Sequence, residues 1–200
     1  MQARRFLSLI FILGFVLVGA PRAEAAPDPA TLLKSVSNQV LQILSDKQLP
    51  AADRKKRFEA LVDEYFDMPR IARFVLGPYW RSASDDERQQ FTAAFRVYMI
   101  NFYWGRFQEY AGQSIRVLGQ QPQSGTITIV NTEIVQPSGQ PPAKVDWTVA
   151  NEHDQNKIID VSIAGISQVL TYRQEFASVI ERNNGKVGAL IDEINRKIKG

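Results

Sequence analysis

The stretch TITIVNTEIV, residues 126–135, decides the fold class of this chain, because its side chains alternate in character. Ile127 and Ile129 fall on one side of an extended chain, and Thr126 and Thr128 fall on the other. A period of two residues is typical of a β-strand with one buried face. The prediction of a strand here extends outward, because neighbouring segments repeat the pattern.

Three further segments alternate in the same way: SIRVLG at 114–119, KVDWTV at 144–149 and KIIDVSI at 157–163. Short connections containing PQSG, PSGQPP and EHDQN separate the four segments, and these residues favour turns. Short turns between consecutive strands indicate antiparallel pairing. The apolar faces predicted for the three further strands carry Ile115, Val117, Val145, Trp147, Val149, Ile159, Val161 and Ile163.

Segments with apolar residues at every third or fourth position flank the strands, which is the period of an amphipathic helix. They predict helices at about 31–46, 51–65, 68–76, 85–110, 166–185 and 186–200. Helices, then strands, then helices are typical of an α+β fold. We therefore predict a four-stranded curved antiparallel sheet packed against several helices and enclosing an apolar pocket. Residues 26–200 are expected to form a single domain.

The predicted helix at 85–110 is unusually aromatic. Phe91, Phe95, Tyr98, Phe102 and Tyr103 recur at helical spacing. A helix packed on a sheet and touched by other helices explains this pattern, and so does a helix that lines a ligand pocket. The residues alone leave both interpretations open.

The segment FDMPRIARFVLGPYW, residues 66–80, contains a short predicted helix. Pro69 suits its first turn, and the Gly77-Pro78 pair ends it. Arginines 70, 73 and 81 lie in or beside this segment. They could bind an anion, or they could pair with nearby acids such as Asp67 and Glu64.

Residues that could carry catalysis are few. Asp85 and Asp86 belong to the pattern SDDE, which we interpret as a helix capping box rather than as a catalytic carboxylate pair. The single histidine, His153, lies in a polar turn without other metal-ligating residues. Nucleophile-elbow, phosphate-loop and dinucleotide motifs are absent from the sequence. We therefore predict no enzyme activity, no metal and no cofactor.

The first 25 residues have the features of a secretory signal peptide. Arg4 and Arg5 precede an apolar run from Phe6 to about Val18, and Ala23-Glu24-Ala25 provides a small-x-small cleavage site. The run is shorter than the roughly 20 residues that span a membrane, although an uncleaved anchor is the alternative. We expect cleavage after about Ala25 and a periplasmic location.

Composition excludes several classes of protein. The formal net charge is +3, and the predicted leader carries much of it, so nucleic-acid binding is not indicated. The chain has no cysteine, which excludes disulfides, thiol catalysis, cysteine-ligated metals and a lipid-modified N-terminal cysteine.

Three stretches, taken together, resemble one family. They are YFDMPRIARFVLGPYWRSASDDERQQF at 65–91, KIIDVSIAGISQVLTYRQEF at 157–176 and NNGKVGALIDEINRK at 183–197. The first resembles the F-D-x-x-x-x-[AT]-R-x-x-[LV]-G-x-x-W segment of the MlaC family of periplasmic phospholipid-binding proteins, also called the toluene-tolerance family. The resemblance covers about residues 30–198. GPYW at 77–80 and RFQEYAG at 106–112 are also similar to HpnM, the hopanoid-associated branch.

The resemblance implies a lipid carrier. Members of the family hold phospholipid acyl tails between a curved sheet and helices. They pass lipid between an outer-membrane lipoprotein–porin complex and an inner-membrane ABC transporter with an MCE-domain subunit, which maintains outer-membrane lipid asymmetry. A phospholipid, or a hopanoid, is therefore the expected ligand.

The predicted lipid-binding residues come from two arguments. The matching family segments contribute Phe66, Ile71, Leu76, Trp80, Tyr172 and Phe176, and Arg173 is a further matching position in the second segment. The helical and alternating patterns add Val75, Phe95, Tyr98, Phe102, Val145, Trp147, Val161 and Ile163. The alternatives to a phospholipid carrier are a hopanoid carrier, a periplasmic interaction module with a solid core, and a small enzyme. Asp146 and Asp160 would lie outside a cavity that Trp147 and Val161 face.

Overall fold

The computed structural model describes residues 27–107 and 109–199, so the predicted signal peptide lies outside the described residues. The helices before the sheet are α1 (Pro29–Ser45), α2 (Ala51–Tyr65), α3 (Met68–Leu76), α4 (Tyr79–Ser82) and α5 (Asp85–Phe107). The strands are β1 (Ser114–Ser124), β2 (Ile127–Val135), β3 (Ala143–Glu152), β4 (Gln155–Ile163) and β5 (Ile166–Ser167). The last helices are α6 (Gln168–Arg182) and α7 (Val187–Lys199).

The strands form one antiparallel sheet in the order β1-β2-β3-β4-β5, which confirms the predicted α+β fold. The sheet has five strands and not the predicted four. The additional strand is β5, which folds back on β4 after a turn at Ala164 and Gly165, both with positive φ. Two residues are too few to show an alternating pattern, so residues 166–167 were included in the predicted helix 166–185, which in the structure begins at Gln168.

The predicted apolar faces of β3 and β4 agree with the strand register near Val145 and Ile163, but the prediction is wrong near Val149 and Ile159. Val145 pairs with Ile163 and Trp147 with Val161, so all four side chains share a face. A bulge then places Ile158, instead of the predicted Ile159, opposite Val149. The extra residue shifts the alternation by one position and turns Ile158 inward, where it is fully buried.

Strand β2 also departs from the prediction. Val130 pairs with Trp147 and Thr132 with Val145, so the face shared with Trp147 carries Val130 and Thr132. Ile127 and Ile129 lie on the opposite face. Thr132 is tolerated inside because its hydroxyl donates a 2.8 Å hydrogen bond to the carbonyl of Val145.

The apolar interior consists of two clusters. The helical cluster joins buried side chains of α2, α3, α5, α6 and α7, among them Phe91, Phe95 and Phe176. The sheet cluster joins α1 to the inner face of the sheet through Leu33, Val130 and other residues. Phe66 packs against both clusters, so it lies where they meet.

Local hydrogen bonds fix the helix that follows Phe66. The backbone N–H of Asp67 donates to the carbonyl of Ile158 on β4, and its carboxylate accepts from the N–H of Arg70 to cap α3. The predicted capping box before α5 is confirmed, because Ser84 and Glu87 bond reciprocally at 2.9 and 3.1 Å. Helix α3 is thereby held between the sheet and α5.

Candidate functional site

The predicted lipid-binding residues fall into the two clusters of the interior. In or against the helical cluster lie Ile71, Val75, Leu76, Trp80, Phe95, Tyr98, Tyr172 and Phe176. On the inner face of the sheet lie Val145, Trp147, Val161 and Ile163. Phe66 joins the two sets, and Phe102 is 37% exposed on α5. The structure therefore places the predicted residues in two adjoining clusters that meet at Phe66, while their contact with a lipid stays a prediction.

The deepest of these residues pack on one another. Phe95 and Phe176 are almost fully buried and meet edge to face, with ring centroids 5.7 Å apart. Tyr172 packs edge to face on Phe95 at 5.5 Å. Such contacts stabilise a core by about 0.5–1.5 kcal/mol each beyond burial. These three side chains therefore lie in the buried part of the helical cluster.

Partly buried apolar side chains lie at the margins of both clusters. Tyr103, Trp104 and Phe107 on α5 pack only partly against the helical cluster. On the sheet, Trp147 and Val161 pack only partly against the sheet cluster. Large apolar side chains that stay partly exposed are candidates for ligand contact.

The packing of the helices explains why these margins stay open. Helix α1 packs on β1 and β2, and α2, α3 and α6 contact β4. In the described part of the chain, the main neighbours of α5 are α7, α3 and α2. The aromatic side chains of α5 therefore belong to the helical cluster, and α5 packs mainly on other helices rather than directly on the sheet.

Two polar groups beside these clusters, the Tyr172 hydroxyl and the Asp160 carboxylate, have distinct environments. Burial raises the pKa of Tyr172, and the nearby Tyr103 and Tyr98 reinforce the shift, so its hydroxyl is neutral at physiological pH. Asp160 lies on the opposite strand face from Val161, as predicted, and accepts hydrogen bonds from the Ser167 hydroxyl and the N–H of Val169. The face that carries Trp147 is therefore free of ionised carboxylates from β4.

Trp147 has a fixed orientation. Its indole Nε1 donates a 3.0 Å hydrogen bond to the Thr132 hydroxyl on the neighbouring strand. This bond satisfies the one polar group of the indole, so the rest of the ring presents an apolar surface.

A second feature is a cleft of about 720 Å³ on the α3 side of the molecule. We call it the arginine cleft. It is lined by Arg70, Arg73, Phe74, Gly77, Pro78, Trp80, Arg81 and Arg173. The sequence placed three of these arginines near each other along the chain, but Arg173 comes from α6, and only the packing of α6 against α3 brings it there. The guanidinium group of Arg70 forms its ion pair with Glu152, and not with Asp67 or Glu64, the acids close to it in the sequence.

Among the described residues, no three acidic or histidine side chains lie together as a candidate metal site. No helix within residues 27–107 and 109–199 is both long and apolar enough to cross a membrane. His153 is exposed in the β3–β4 turn with a positive φ, which agrees with the predicted loop position.

The fold and site define an α+β protein with a curved, open sheet and an aromatic helical cluster that meet at Phe66. A family profile described as MlaC protein matches residues 34–196, and the chain belongs to this family. The Toluene tolerance protein ttg2D of Pseudomonas putida is 22% identical over 173 residues, which cover 84% of this chain and 80% of that protein. A phospholipid-binding protein from Ralstonia solanacearum, solved in complex with a phospholipid, has a TM-score of 0.74 at 24% identity, covering 86% of this chain and 97% of that one.

Proposed function

We propose that this protein is a periplasmic lipid carrier that holds the acyl tails of a phospholipid between the sheet and α5. The observation that carries the proposal is the pair of partly exposed apolar margins, Trp147 and Val161 on the sheet and Tyr103, Trp104 and Phe107 on α5. The Ralstonia protein with the same fold is described as phospholipid-binding, which supports this ligand class.

The energetics of such a carrier agree with a site lined mainly by apolar side chains. Two acyl tails contain roughly 30 methylenes, and burying each is worth about 0.8 kcal/mol, so exposed tails would cost on the order of 20 kcal/mol. A membrane already buries the tails, so the free energy with which a carrier binds them has to match that of the membrane rather than exceed it. Apolar side chains such as Trp147 can bury the tails without selecting among them through polar contacts.

The proposed tail-binding residues are those that the sequence predicted: Phe66, Ile71, Val75, Leu76, Trp80, Phe95, Tyr98, Phe102, Val145, Trp147, Val161, Ile163, Tyr172 and Phe176. In this role the protein is exported with cleavage after about Ala25. It collects lipid at one membrane complex and delivers it to another. Family membership supports as partners an outer-membrane lipoprotein–porin complex and an inner-membrane MCE-domain ABC transporter. Such traffic would maintain outer-membrane lipid asymmetry.

Extraction of the purified protein tests the ligand directly. The protein is purified without detergent, extracted with organic solvent and analysed by mass spectrometry against an unrelated exported protein from the same cells. We expect close to one phospholipid per protein. A hopanoid at that stoichiometry would replace the phospholipid as cargo, and the absence of any stoichiometric lipid would favour an interaction module with a solid core.

A further inference from the structure

The arginine cleft concentrates positive charge that the described residues neutralise only in part. Of its four guanidinium groups, that of Arg70 alone has a carboxylate partner in this part of the chain, Glu152. Among residues 27–107 and 109–199, no ion pair is formed by Arg73, Arg81 or Arg173. Three unpaired like charges around one concavity repel one another, and an anion bound between them would relieve that repulsion.

Arg173 is held in place without a hydrogen bond from a described residue. Its guanidinium stacks on the ring of Phe74, with the Cζ atom 5.0 Å from the ring centroid. Stacking occupies the flat face of the guanidinium and leaves the N–H groups at its edge available. Phe74 is itself 42% exposed, so its position is explained by this stacking rather than by burial in the core.

Gly77 creates the space that Arg173 occupies. A Cβ atom at position 77 would lie 2.9 Å from Nε of Arg173, closer than a normal contact. Gly77 also has φ +58° and ends α3, so its backbone conformation and the close approach of Arg173 both favour glycine. The end of α3 is therefore shaped to admit this guanidinium.

The other wall of the cleft is also fixed. Arg88 donates through Nε to the carbonyl of Trp80 at 2.8 Å and through Nη1 to Asp85 at 2.8 Å. Its guanidinium also lies over the Trp80 ring, 5.7 Å from the centroid. These contacts hold the α4 turn that presents Arg81. Arg88 is thus a structural arginine, whereas Arg81 makes no described hydrogen bond through its side chain.

We propose that the arginine cleft binds a phosphate group, with Arg173 as the main ligand and Arg73 and Arg81 completing the site. Guanidinium groups match the oxygen geometry of phosphate and form charge-assisted hydrogen bonds with it. The phosphate has two sources, a free phosphate ester or the head group of a phospholipid. The inference does not depend on the proposed lipid-carrier function, because soluble phosphates test it.

The test is an NMR titration of the mature protein with inorganic phosphate and with glycerol 3-phosphate, at constant ionic strength set by sodium chloride. We expect saturable shifts of the Arg173 Nε–Hε signal and of the Gly77 amide. Arg173→Gln should weaken binding about tenfold or more, the typical effect of losing a charge-assisted contact. Arg73→Gln and Arg81→Gln, both at exposed positions and therefore safe for folding, should each weaken it severalfold.

Arg57→Gln is the matched control, because Arg57 is exposed on α2 and its loss changes the net charge by the same amount. It should leave phosphate affinity unchanged. The proposal is overturned if the Arg173 signal saturates in neither the purified nor the delipidated protein, or if Arg57→Gln weakens binding as much as Arg173→Gln does.

Comparison of lipid-loaded and delipidated protein identifies the source of the phosphate. If the head group of a bound lipid fills the cleft, glycerol 3-phosphate binds only the delipidated protein. If the cleft takes free phosphate esters, both preparations bind it equally. Both results support the site, and if the protein purifies without lipid, the titration with soluble phosphates alone tests it.

Discussion

At Gly77, the backbone conformation and the packing of a neighbouring side chain both favour glycine. It ends α3 with a positive φ and faces Arg173 without a Cβ atom between them. We predict that Gly77→Ala lowers the free energy of unfolding by about 1–3 kcal/mol, because alanine is strained in this conformation. Urea denaturation followed by circular dichroism measures the change.

Gly105→Ala provides the control for that substitution. Gly105 lies inside α5, and nothing approaches the position of its missing Cβ within 4 Å. Alanine there should raise stability by up to about 1 kcal/mol, because it favours helix. Equal destabilisation by the two substitutions would contradict the role assigned to Gly77.

Ionisation of Tyr172 is expected to make the free energy of unfolding depend on pH in the alkaline range. Burial raises its pKa above the ordinary value of 10.0, so the folded state keeps a proton that the unfolded state loses above about pH 10. The stabilising contribution is complete below pH 10 and declines as the pH rises above it. We predict that the free energy of unfolding falls more steeply between pH 9 and 11 in the wild type than in Tyr172→Phe, as measured by urea denaturation at each pH. Parallel curves would show that Tyr172 does not titrate differently in the two states.

At the scale of the elements, the inner face of β3 is the proposed sheet wall of the lipid site. Trp147→Arg places a charge on this face, and Thr148→Arg places the same charge on the opposite face one residue later. We predict that Trp147→Arg purifies with at least tenfold less lipid and that Thr148→Arg keeps it, because a charge among acyl tails is strongly unfavourable. Lipid content is measured by mass spectrometry after circular dichroism has shown that both variants are folded.

Phe102→Asp tests the opposite wall on α5. Phe102 is already 37% exposed, and Arg106 lies 4.8 Å from its ring centroid, so an aspartate there has a cation beside it and the fold should tolerate it. We expect lipid retention to fall severalfold in the same assay. A folded Phe102→Asp variant that retains lipid would remove Phe102 from the site without affecting the assignment of Trp147.

For the whole molecule, a carrier with an emptied site should be less stable than its loaded form. A ligand that binds only the folded state raises its stability, and an unfilled apolar cavity lowers it. We predict that delipidation lowers the Tm by about 2–4 °C for each kcal/mol of stabilisation lost. Differential scanning calorimetry of native, delipidated and reloaded protein measures this, and identical Tm values would contradict the proposed cavity.

Local sequence patterns predicted much of the secondary structure. The period of 3.6 in α1 and α3 and the capping box at Ser84 and Glu87 depend on neighbours within a few residues, so the sequence alone determined these elements. The alternation in β3 depends on the same kind of local geometry and placed Val145 and Trp147 on one face correctly. Family motifs along residues 65–91 and 157–176 predicted the family that the comparison later showed.

Only the tertiary structure decided features that depend on distant partners. The bulge that turns Ile158 inward arises from pairing between β3 and β4, and β5 exists because a turn folds two residues back on β4. The arginine cleft joins Arg73 of α3 to Arg173 of α6, a hundred residues later in the chain. Periodicity records which side of an element is apolar, but the side chains that meet across elements are set by packing, which no local pattern encodes.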